Sequence, residues 1–329
     1  MKNIFKNKKV KRVVITIAVV VVVIIALRFI LFPPVKAIPT TGKYKIASED
    51  YWVTEDKSDP YSKDGSNRQL QVRKWYPIDS TEKKPVVVAS HGSCGTIENN
   101  VTLYRELASY GYIVLAVAHP GQAARVKYEN GKSGGPSGEF LKEVGALKPD
   151  EEPEKAYEVF RKWMEIRIDD MNTVMDDWTS REGASQFIVE GHSLGGSAAY
   201  AMARIRDDVI GCIALESPFM YDIKGVEEDK FVFDDSDYNV PLLNIYSDSS
   251  YPHLKEWLQY GNNAKFLDST NPLYTNIHYE NIGHMGLCDL SQASPILTAI
   301  FDGGFQKADA KEQLTTINKD CLEWIMSLQ

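Results

Sequence analysis

The stretch from Phe187 to Ile205, FIVEGHSLGGSAAYAMARI, joins an apolar segment of strand type directly to an alanine-rich segment of helix type. Three glycines surround Ser193 at the junction. A sharp turn from strand to helix pushes the side chain at its tip outward, and the crowding there requires glycine at neighbouring positions. The pentapeptide GHSLG at 191–195 matches G-x-S-x-G, which predicts such a turn and makes Ser193 a candidate nucleophile.

A serine hydroxyl needs a base that removes its proton before it can attack a carbonyl. In a strand-turn-helix architecture of this kind the base follows the nucleophile and the acid, which leaves His253, His278 and His284. His278 lies inside a predicted strand, and His253 opens a predicted helix. His284 lies in the segment NIGHMGLCDL after the last predicted strand, flanked by glycines. We therefore predict His284 as the base.

Two carboxylates are candidates for the acid that orients the imidazole and stabilises its cation. Glu216 ends the predicted strand VIGCIALE, and Asp248 follows the predicted strand segment LLNIYS. Both positions lie at a strand end, so the residues by themselves leave the choice between Glu216 and Asp248 open.

An oxyanion needs two backbone N–H donors about 3 Å away. The first is predicted to be the N–H of Leu194, directly after the nucleophile at the start of a helix whose dipole favours negative charge. The second is expected in the loop Ser-His-Gly-Ser at 90–93, after the apolar run PVVVA, and we assign it to Ser93. We expect His91 in this loop to shape the turn.

Short apolar runs alternate with helical patterns along most of the chain, which predicts a mostly parallel sheet with helices on both faces. Two segments interrupt the alternation, at 122–162 and 217–239, and insertions of this length are typical of lids. The predicted strands are 70–76, 85–89, 112–118, 186–189, 209–215, 240–246 and 276–280. The predicted helices are 102–110, 163–179, 193–206, 253–260 and 311–328.

The N-terminal segment is basic and then strongly apolar. Eight of the 37 Lys and Arg residues and none of the 45 acidic residues lie in 1–40, so residues 41–329 carry a net charge of −16. That acidic body argues against nucleic acid as a partner. Residues 13–32 are long enough to span a bilayer, and the basic residues before them predict a cytoplasmic N-terminus. An uncleaved anchor is expected; the alternative is secretion after cleavage near Val35-Lys36-Ala37.

The chain has four cysteines, Cys94, Cys212, Cys288 and Cys321, without short paired spacing. We expect free or buried thiols, the alternative being proximity of Cys94 and Cys288. The acidic segment FDDSDYN at 233–239 does not have the spacing of a calcium loop. No metal and no organic cofactor is expected.

Several of these segments together resemble the α/β-hydrolases, and within them the platelet-activating factor acetylhydrolases and dienelactone hydrolase-like esterases. The resemblance covers roughly residues 65–290. Its segments are VRKWYP (72–77), PVVVASHGS (85–93), LASYGYIVLAVAHPG (107–121), VEGHSLGGSAA (189–199), IGCIALESP (210–218) and IGHMGLCDL (282–290).

The resemblance implies that the acid ends the strand after the nucleophile's helix, which corresponds to Glu216, with Glu in place of the family's Asp. It also implies a short-acyl ester or a short-chain or oxidised phospholipid as substrate. Dienelactone hydrolases proper use a cysteine nucleophile, whereas this chain has Ser193.

The sequence thus predicts a membrane-anchored serine ester hydrolase with its catalytic domain outside the cytoplasm. The alternatives are a peptidase or amidase of the same fold, and a non-catalytic binding protein on a hydrolase scaffold. The predicted organisation is a basic cytoplasmic tail at 1–12, a transmembrane helix at 13–32, a linker at 33–42 and an α/β-hydrolase domain at 43–329.

Overall fold

The computed structural model describes residues 8–183 and 186–328. Its main sheet has eight strands in the order β1-β2-β4-β3-β7-β8-β11-β12. β1, β2 and β4 pair antiparallel, and all pairs from β4 to β12 are parallel. The strands are β1 Ile46–Ser58, β2 Asn67–Pro77, β3 Val86–Ser90, β4 Ile113–Val117, β5 Val126–Lys127, β6 Ser133–Gly134, β7 Phe187–His192, β8 Val209–Leu215, β9 Ile223–Glu227, β10 Lys230–Phe233, β11 Leu242–Ser247 and β12 Tyr274–Tyr279.

Helices cover both faces of this sheet. Met171 and Val174 of α4 and the alanines of α5 form one core layer, and Leu103 of α2 and Ile317 of α9 contribute to the other. The central strands β3 and β7 are buried along their whole length, which is why β3 up to Ala89 and the first three residues of β7 are apolar. The helices are α1 Lys8–Leu31, α2 Val101–Ser109, α3 Gly138–Ala146, α4 Pro153–Glu182, α5 Leu194–Ile205, α6 Gly261–Leu267, α7 Leu290–Ala293, α8 Pro295–Phe301 and α9 Ala310–Ser327.

The predicted fold class is confirmed, and most predicted elements lie within a few residues of the observed ones. The helix predicted at 253–260 is wrong: two 3-10 turns, Tyr251–His253 and Leu258–Tyr260, replace it. Trp257 has extended backbone between them, which interrupts any helix there. The 13-residue strand β1 was not predicted, because its partly exposed pattern has no continuous apolar run.

The two insertions are folded rather than open. Residues 122–162 contain the β5–β6 hairpin, α3 and the beginning of α4, which starts ten residues earlier than predicted. Pro153 occupies the first turn of α4, where its missing N–H costs nothing. Residues 217–239 contain the β9–β10 hairpin. Side chains from both insertions pack in one largely aromatic cluster with Trp163 and Leu194: Phe140, Phe160, Ile223 and Phe231.

The N-terminal helix α1 contacts the domain only at its C-terminal end, where Ser294 Oγ donates to the carbonyl of Leu31. It runs from Lys8 to Leu31 in the described residues and includes most of the predicted span at 13–32, and none of its described side chains is buried. It is the one helix in the described ranges that is long and apolar enough to cross a membrane, a property that it shares with signal sequences. The first seven residues of the predicted tail lie outside the described residues.

The segment after α1 has no regular secondary structure up to Thr41, but it contacts the domain. Ser294 Oγ donates to the carbonyl of Leu31, and Gln292 Nε2 donates to the carbonyl of Lys36 at 3.1 Å. The Thr41 N–H donates to Glu106 Oε2 at 3.0 Å. The segment predicted as a linker is therefore partly docked on α2 and on the α7–α8 region.

Candidate active site

Ser193 lies at the tip of the turn between β7 and α5. Its backbone has φ 56° and ψ −127°, a conformation that a residue with a side chain adopts only under strain. Its N–H donates to the Leu215 carbonyl at 2.8 Å, and its side chain is partly exposed. A Cβ on Gly195 would lie 1.9 Å from the Ser90 carbonyl oxygen, so glycine is required for this close approach.

The loop after β3 lies beside this turn. A Cβ on Gly92 would be 3.3 Å from Ser193 Cβ, so the backbone of this loop borders the serine directly. The Cys94 N–H is engaged by the Gln122 carbonyl at 3.0 Å. In the described ranges the N–H groups of Ser93 and Leu194 have no protein acceptor. Both predicted oxyanion donors therefore remain available to a substrate oxygen.

His91 in the same loop is fully engaged in structure. Its Nδ1 is 2.7 Å from the Gly92 carbonyl, to which it donates, and its Nε2 accepts from the His119 N–H at 3.3 Å. Burial holds the pKa of His91 well below its ordinary value. The neutral, buried ring shapes the loop and has no free nitrogen to act as a base.

His284 and Glu216 are brought together at the carboxyl edge of the sheet. His284 begins a 3-10 turn after β12, and its Nδ1 is 3.5 Å from Glu216 Oε2. The Glu216 carboxylate is 1% exposed, and it accepts a hydrogen bond from Ser247 Oγ at 2.5 Å. Glu216 also has a positive φ of 47° just after β8, which turns its backbone sharply at the strand end.

The two groups shift each other's pKa in opposite directions. Burial would raise the pKa of Glu216, but the neighbouring His284 and the Ser247 hydroxyl outweigh burial and lower it. Burial would lower the pKa of His284, but the Glu216 carboxylate outweighs burial and raises it. Glu216 is therefore ionised at neutral pH and favours the protonated imidazolium of His284, as the acid of a triad does.

His192 connects the turn to the His284 loop. The two rings are 4.4 Å apart, and His192 Nε2 donates to the backbone carbonyl of His284 at 3.0 Å. Burial, followed by the charge of His284, lowers the pKa of His192 to about 3, so the ring is neutral. This contact holds the loop that carries His284 against the residue directly before Ser193. Apart from the position of His192 next to the serine, no sequence pattern indicated this contact.

Asp248, the alternative acid, has a different partner. Its Oδ1 is 2.9 Å from His278 Nε2, and its Oδ2 accepts the Asn281 N–H at 2.7 Å. The His278 ring stacks on Tyr251 at 4.0 Å. The structure thus brings Glu216, and not Asp248, to His284.

Sequence reasoning missed a buried polar cluster behind the Gly92 loop. Its centre is Arg167 on α4, which is fully buried. The signal in the sequence was a charged pair three residues apart, Arg167 and Asp170, on the otherwise apolar face of α4. The other members are Arg68, Ser90, His119 and Gln122.

The four cysteines are free thiols, three of them buried. Within 8–183 and 186–328, no group of three or more His, Cys, Asp or Glu side chains is placed to hold a metal ion. The acidic segment at 233–239 instead forms ion pairs with surface lysines.

The strand order, the strained serine turn and the carboxylate–histidine pair define an α/β-hydrolase fold. The family described as platelet-activating factor acetylhydrolase, isoform II, matches residues 62–176, about a third of the chain. This match includes the Gly92 loop and most of α4, and it ends before Ser193. It confirms the resemblance seen in the sequence and indicates a hydrolase of esters.

Solved structures show the same fold. A ferulic acid esterase from Streptomyces cinnamoneus has a TM-score of 0.63 and 18% identity, covering 88% of this chain and 92% of its own. A dienelactone hydrolase-like promiscuous phosphotriesterase from metagenomic libraries has a TM-score of 0.52 and 14% identity, covering 86% and 99%. No curated protein matches the sequence.

Proposed function

We propose that this protein is a serine hydrolase of carboxylic esters, with Ser193 as nucleophile, His284 as base and Glu216 as the orienting acid. The observation that carries the proposal is the convergence of the strained Ser193 turn and the buried Glu216–His284 pair at one sheet edge. The linking contact is the His192 side chain, adjacent to Ser193 in the chain and hydrogen-bonded to His284.

The reaction proceeds in two halves. The Ser193 oxygen attacks the ester carbonyl while His284 accepts its proton, and the carbonyl oxygen becomes an oxyanion bound by the Ser93 and Leu194 amides. Protonation of the leaving alkoxide by His284 releases the alcohol and leaves an acyl-serine. Water, deprotonated by His284, then attacks the acyl group, and the Ser193 oxygen leaves and regains the proton.

The substrate is proposed to be a short-acyl ester, including short-chain or oxidised phospholipids. The family match supports the acetyl-ester class. The aromatic cluster formed by the two insertions contacts Leu194, next to the nucleophile, and Cys94 of the oxyanion loop packs against it. This cluster is the apolar wall on which we place the acyl chain, and its tight packing favours short chains.

The anchor is proposed to be retained, with the catalytic domain outside the cytoplasm. The basic residues that precede the apolar helix support this orientation. The contacts of Leu31 and Lys36 with the domain also support retention, because cleavage near Ala37 would remove both. The mass of the mature protein tests this: the uncleaved mass is expected, and a product that begins after Ala37 would contradict it.

The first experiment compares the full-length protein in detergent with Ser193→Ala. Nitrophenyl esters with acyl chains of two to twelve carbons are supplied, together with a nitroanilide of the best acyl group. Hydrolysis of the short esters that is lost in Ser193→Ala is expected, and a fluorophosphonate is expected to label the wild type at Ser193. Faster hydrolysis of the anilide than of any ester would favour an amidase. Neither hydrolysis nor labelling would favour a non-catalytic binding protein.

A further inference from the structure

The Arg167 side chain is a buried cation directly behind the oxyanion loop. It is 0% exposed, and none of the described carboxylates forms an ion pair with it. Burial lowers the pKa of Arg167 to about 9, which leaves the guanidinium charged at neutral pH. A charged group kept so deep without a directly paired carboxylate is costly, so its remaining contacts need an explanation.

Two of the four hydrogen bonds that Arg167 donates within the described residues go to the loop backbone. Arg167 Nη1 donates to the His91 carbonyl, and Nη2 is 3.4 Å from the Gly92 carbonyl. The Gly92 oxygen also accepts from His91 Nδ1 at 2.7 Å and from the Gly95 N–H at 3.0 Å. Three donors therefore converge on a single carbonyl.

The orientation of that carbonyl fixes the orientation of an oxyanion donor. The Gly92 carbonyl and the Ser93 N–H belong to the same planar trans peptide, so they point in opposite directions. Because the guanidinium, the His91 ring and the Gly95 N–H all approach the Gly92 oxygen, the Ser93 N–H is directed away from these three donors. Donation to the carbonyl end of a peptide also polarises its N–H, because hydrogen bonds in a chain strengthen one another.

The guanidinium is itself held by a directed network. Arg167 Nε donates to Gln122 Oε1 at 2.8 Å, and Nη1 donates to Ser90 Oγ at 3.1 Å. Ser90 Oγ lies 2.8 Å from His119 Nε2, and His119 Nδ1 lies 2.7 Å from Asp170. Burial lowers the pKa of His119 to about 4, so its ring is neutral and can accept from Ser90 while donating to Asp170. Arg68 completes the network with two hydrogen bonds to Asp170.

We propose that Arg167 is a positioning residue for the oxyanion hole: it holds the Gly92–Ser93 peptide so that the Ser93 N–H faces the substrate, and it places a positive charge behind the developing oxyanion. This inference rests on the proposed function. It assigns a role in transition-state stabilisation to a side chain that does not itself touch the substrate.

The test compares Arg167→Met and Arg167→Lys in the full-length protein, with Arg204→Met as the matched control. Arg204 is also a largely buried arginine that donates to backbone carbonyls, but it forms an ion pair with Asp222 and its carbonyl acceptors are in the segment at 236–237. Active sites are titrated to completion with a fluorophosphonate, so that kcat is expressed per competent Ser193. The thermal midpoint and the affinity for a trifluoromethyl ketone, which forms an oxyanion on the serine, are measured in parallel.

Arg167→Met is expected to lower kcat per titrated site by about 10²- to 10³-fold, the range for loss of one oxyanion donor. We expect KM to change much less, and ketone affinity to fall in parallel with kcat/KM. Arg167→Lys, which keeps the charge but loses the fork, is expected to recover part of the loss. Arg204→Met is expected to lower the thermal midpoint while kcat per titrated site stays near wild type.

If Arg167→Met and Arg204→Met had the same kcat per titrated site, the inference would be overturned, because Arg167 would then contribute only to the stability of the fold, as Arg204 does. If Arg167→Met does not fold, wild-type kcat and ketone affinity in Arg167→Lys would overturn it equally. A wild-type protein that neither hydrolyses esters nor reacts at Ser193 would instead overturn the proposed function, and the inference with it.

Discussion

Two carboxylate–imidazole pairs lie at the same edge of the sheet, and they differ in distance and in the burial of the carboxylate. Glu216 at the end of β8 faces His284 at 3.5 Å, and its side chain is 1% exposed. Asp248 after β11 faces His278 at the shorter distance of 2.9 Å, and its side chain is 47% exposed. If distance alone identified the acid, Asp248 would be the better candidate.

Surroundings separate the two pairs more clearly than distance does. A buried charge acts through a low effective dielectric, whereas an exposed pair is screened by water and contributes little. The His284 loop is held by His192, the neighbour of Ser193, whereas the His278 ring is stacked on Tyr251. The buried Glu216 carboxylate is therefore the one whose charge is less screened, in agreement with the proposed assignment of the acid.

Loss of the imidazole that faces the buried Glu216 carboxylate is expected to have the largest effect. His284→Ala removes the base, and kcat is expected to fall on the order of 10⁴-fold or more, as for loss of a triad base. His278→Ala serves as the comparison and is expected to leave kcat within about threefold. Steady-state hydrolysis of a short nitrophenyl ester measures both. Equal losses of kcat in the two variants would contradict the assignment of the base to His284 rather than to His278.

Replacement of the buried Glu216 carboxylate is expected to cause the second-largest loss of kcat. Glu216→Gln keeps the shape but removes the charge that favours the His284 imidazolium, so kcat is expected to fall about 10³- to 10⁴-fold. A circular dichroism spectrum checks that the variant is folded, since its Ser247 contact is also altered. Near-normal kcat in Glu216→Gln together with a large loss in Asp248→Asn would reassign the acid.

The serine turn was predictable because much of its cause is local. A Cβ on Gly191 would lie 2.2 Å from the Gly195 backbone, and the apolar strand before Ser193 is adjacent in sequence. The choice between Glu216 and Asp248 was open from the residues, since both follow strands and each has a histidine available. Only the folded chain shows which histidine each one meets.

The Arg167 network was beyond sequence reasoning for a different reason. Its members come from β2, β3, the loop after β4, and α4, so no window of the sequence contains them. The strand β1 was missed because an edge strand that is half exposed has a weak hydrophobic pattern. Elements defined by burial on both sides were predicted, and contacts between distant segments were not.

A smaller effect is expected in the pH dependence of kcat/KM, which reports whether Glu216 shifts the pKa of His284. His284 acts as base only when neutral, so activity is expected to rise with pH through its pKa, which Glu216 raises above the ordinary value of 6.5. In Glu216→Gln the carboxylate that raises the pKa of His284 is gone, whereas the burial that lowers this pKa remains. The inflection is therefore expected to move to lower pH. Residual activity measured from pH 5 to 9 shows this shift. An unchanged inflection would mean that Glu216 does not set the pKa of His284.

The smallest effect is expected for Asp248→Asn. The Asp248–His278 pair is partly exposed, and such pairs contribute about 1 kcal/mol or less to stability. An asparagine oxygen can still accept the Asn281 N–H, so the turn before His284 is expected to persist. We therefore expect kcat within about twofold, the His284 inflection unmoved and a slightly lower midpoint in urea. A large loss of kcat without a shift in the inflection would show that Asp248 acts by holding the turn at 281–284, so that the surface pair supports the base loop mechanically while the buried pair supplies the charge.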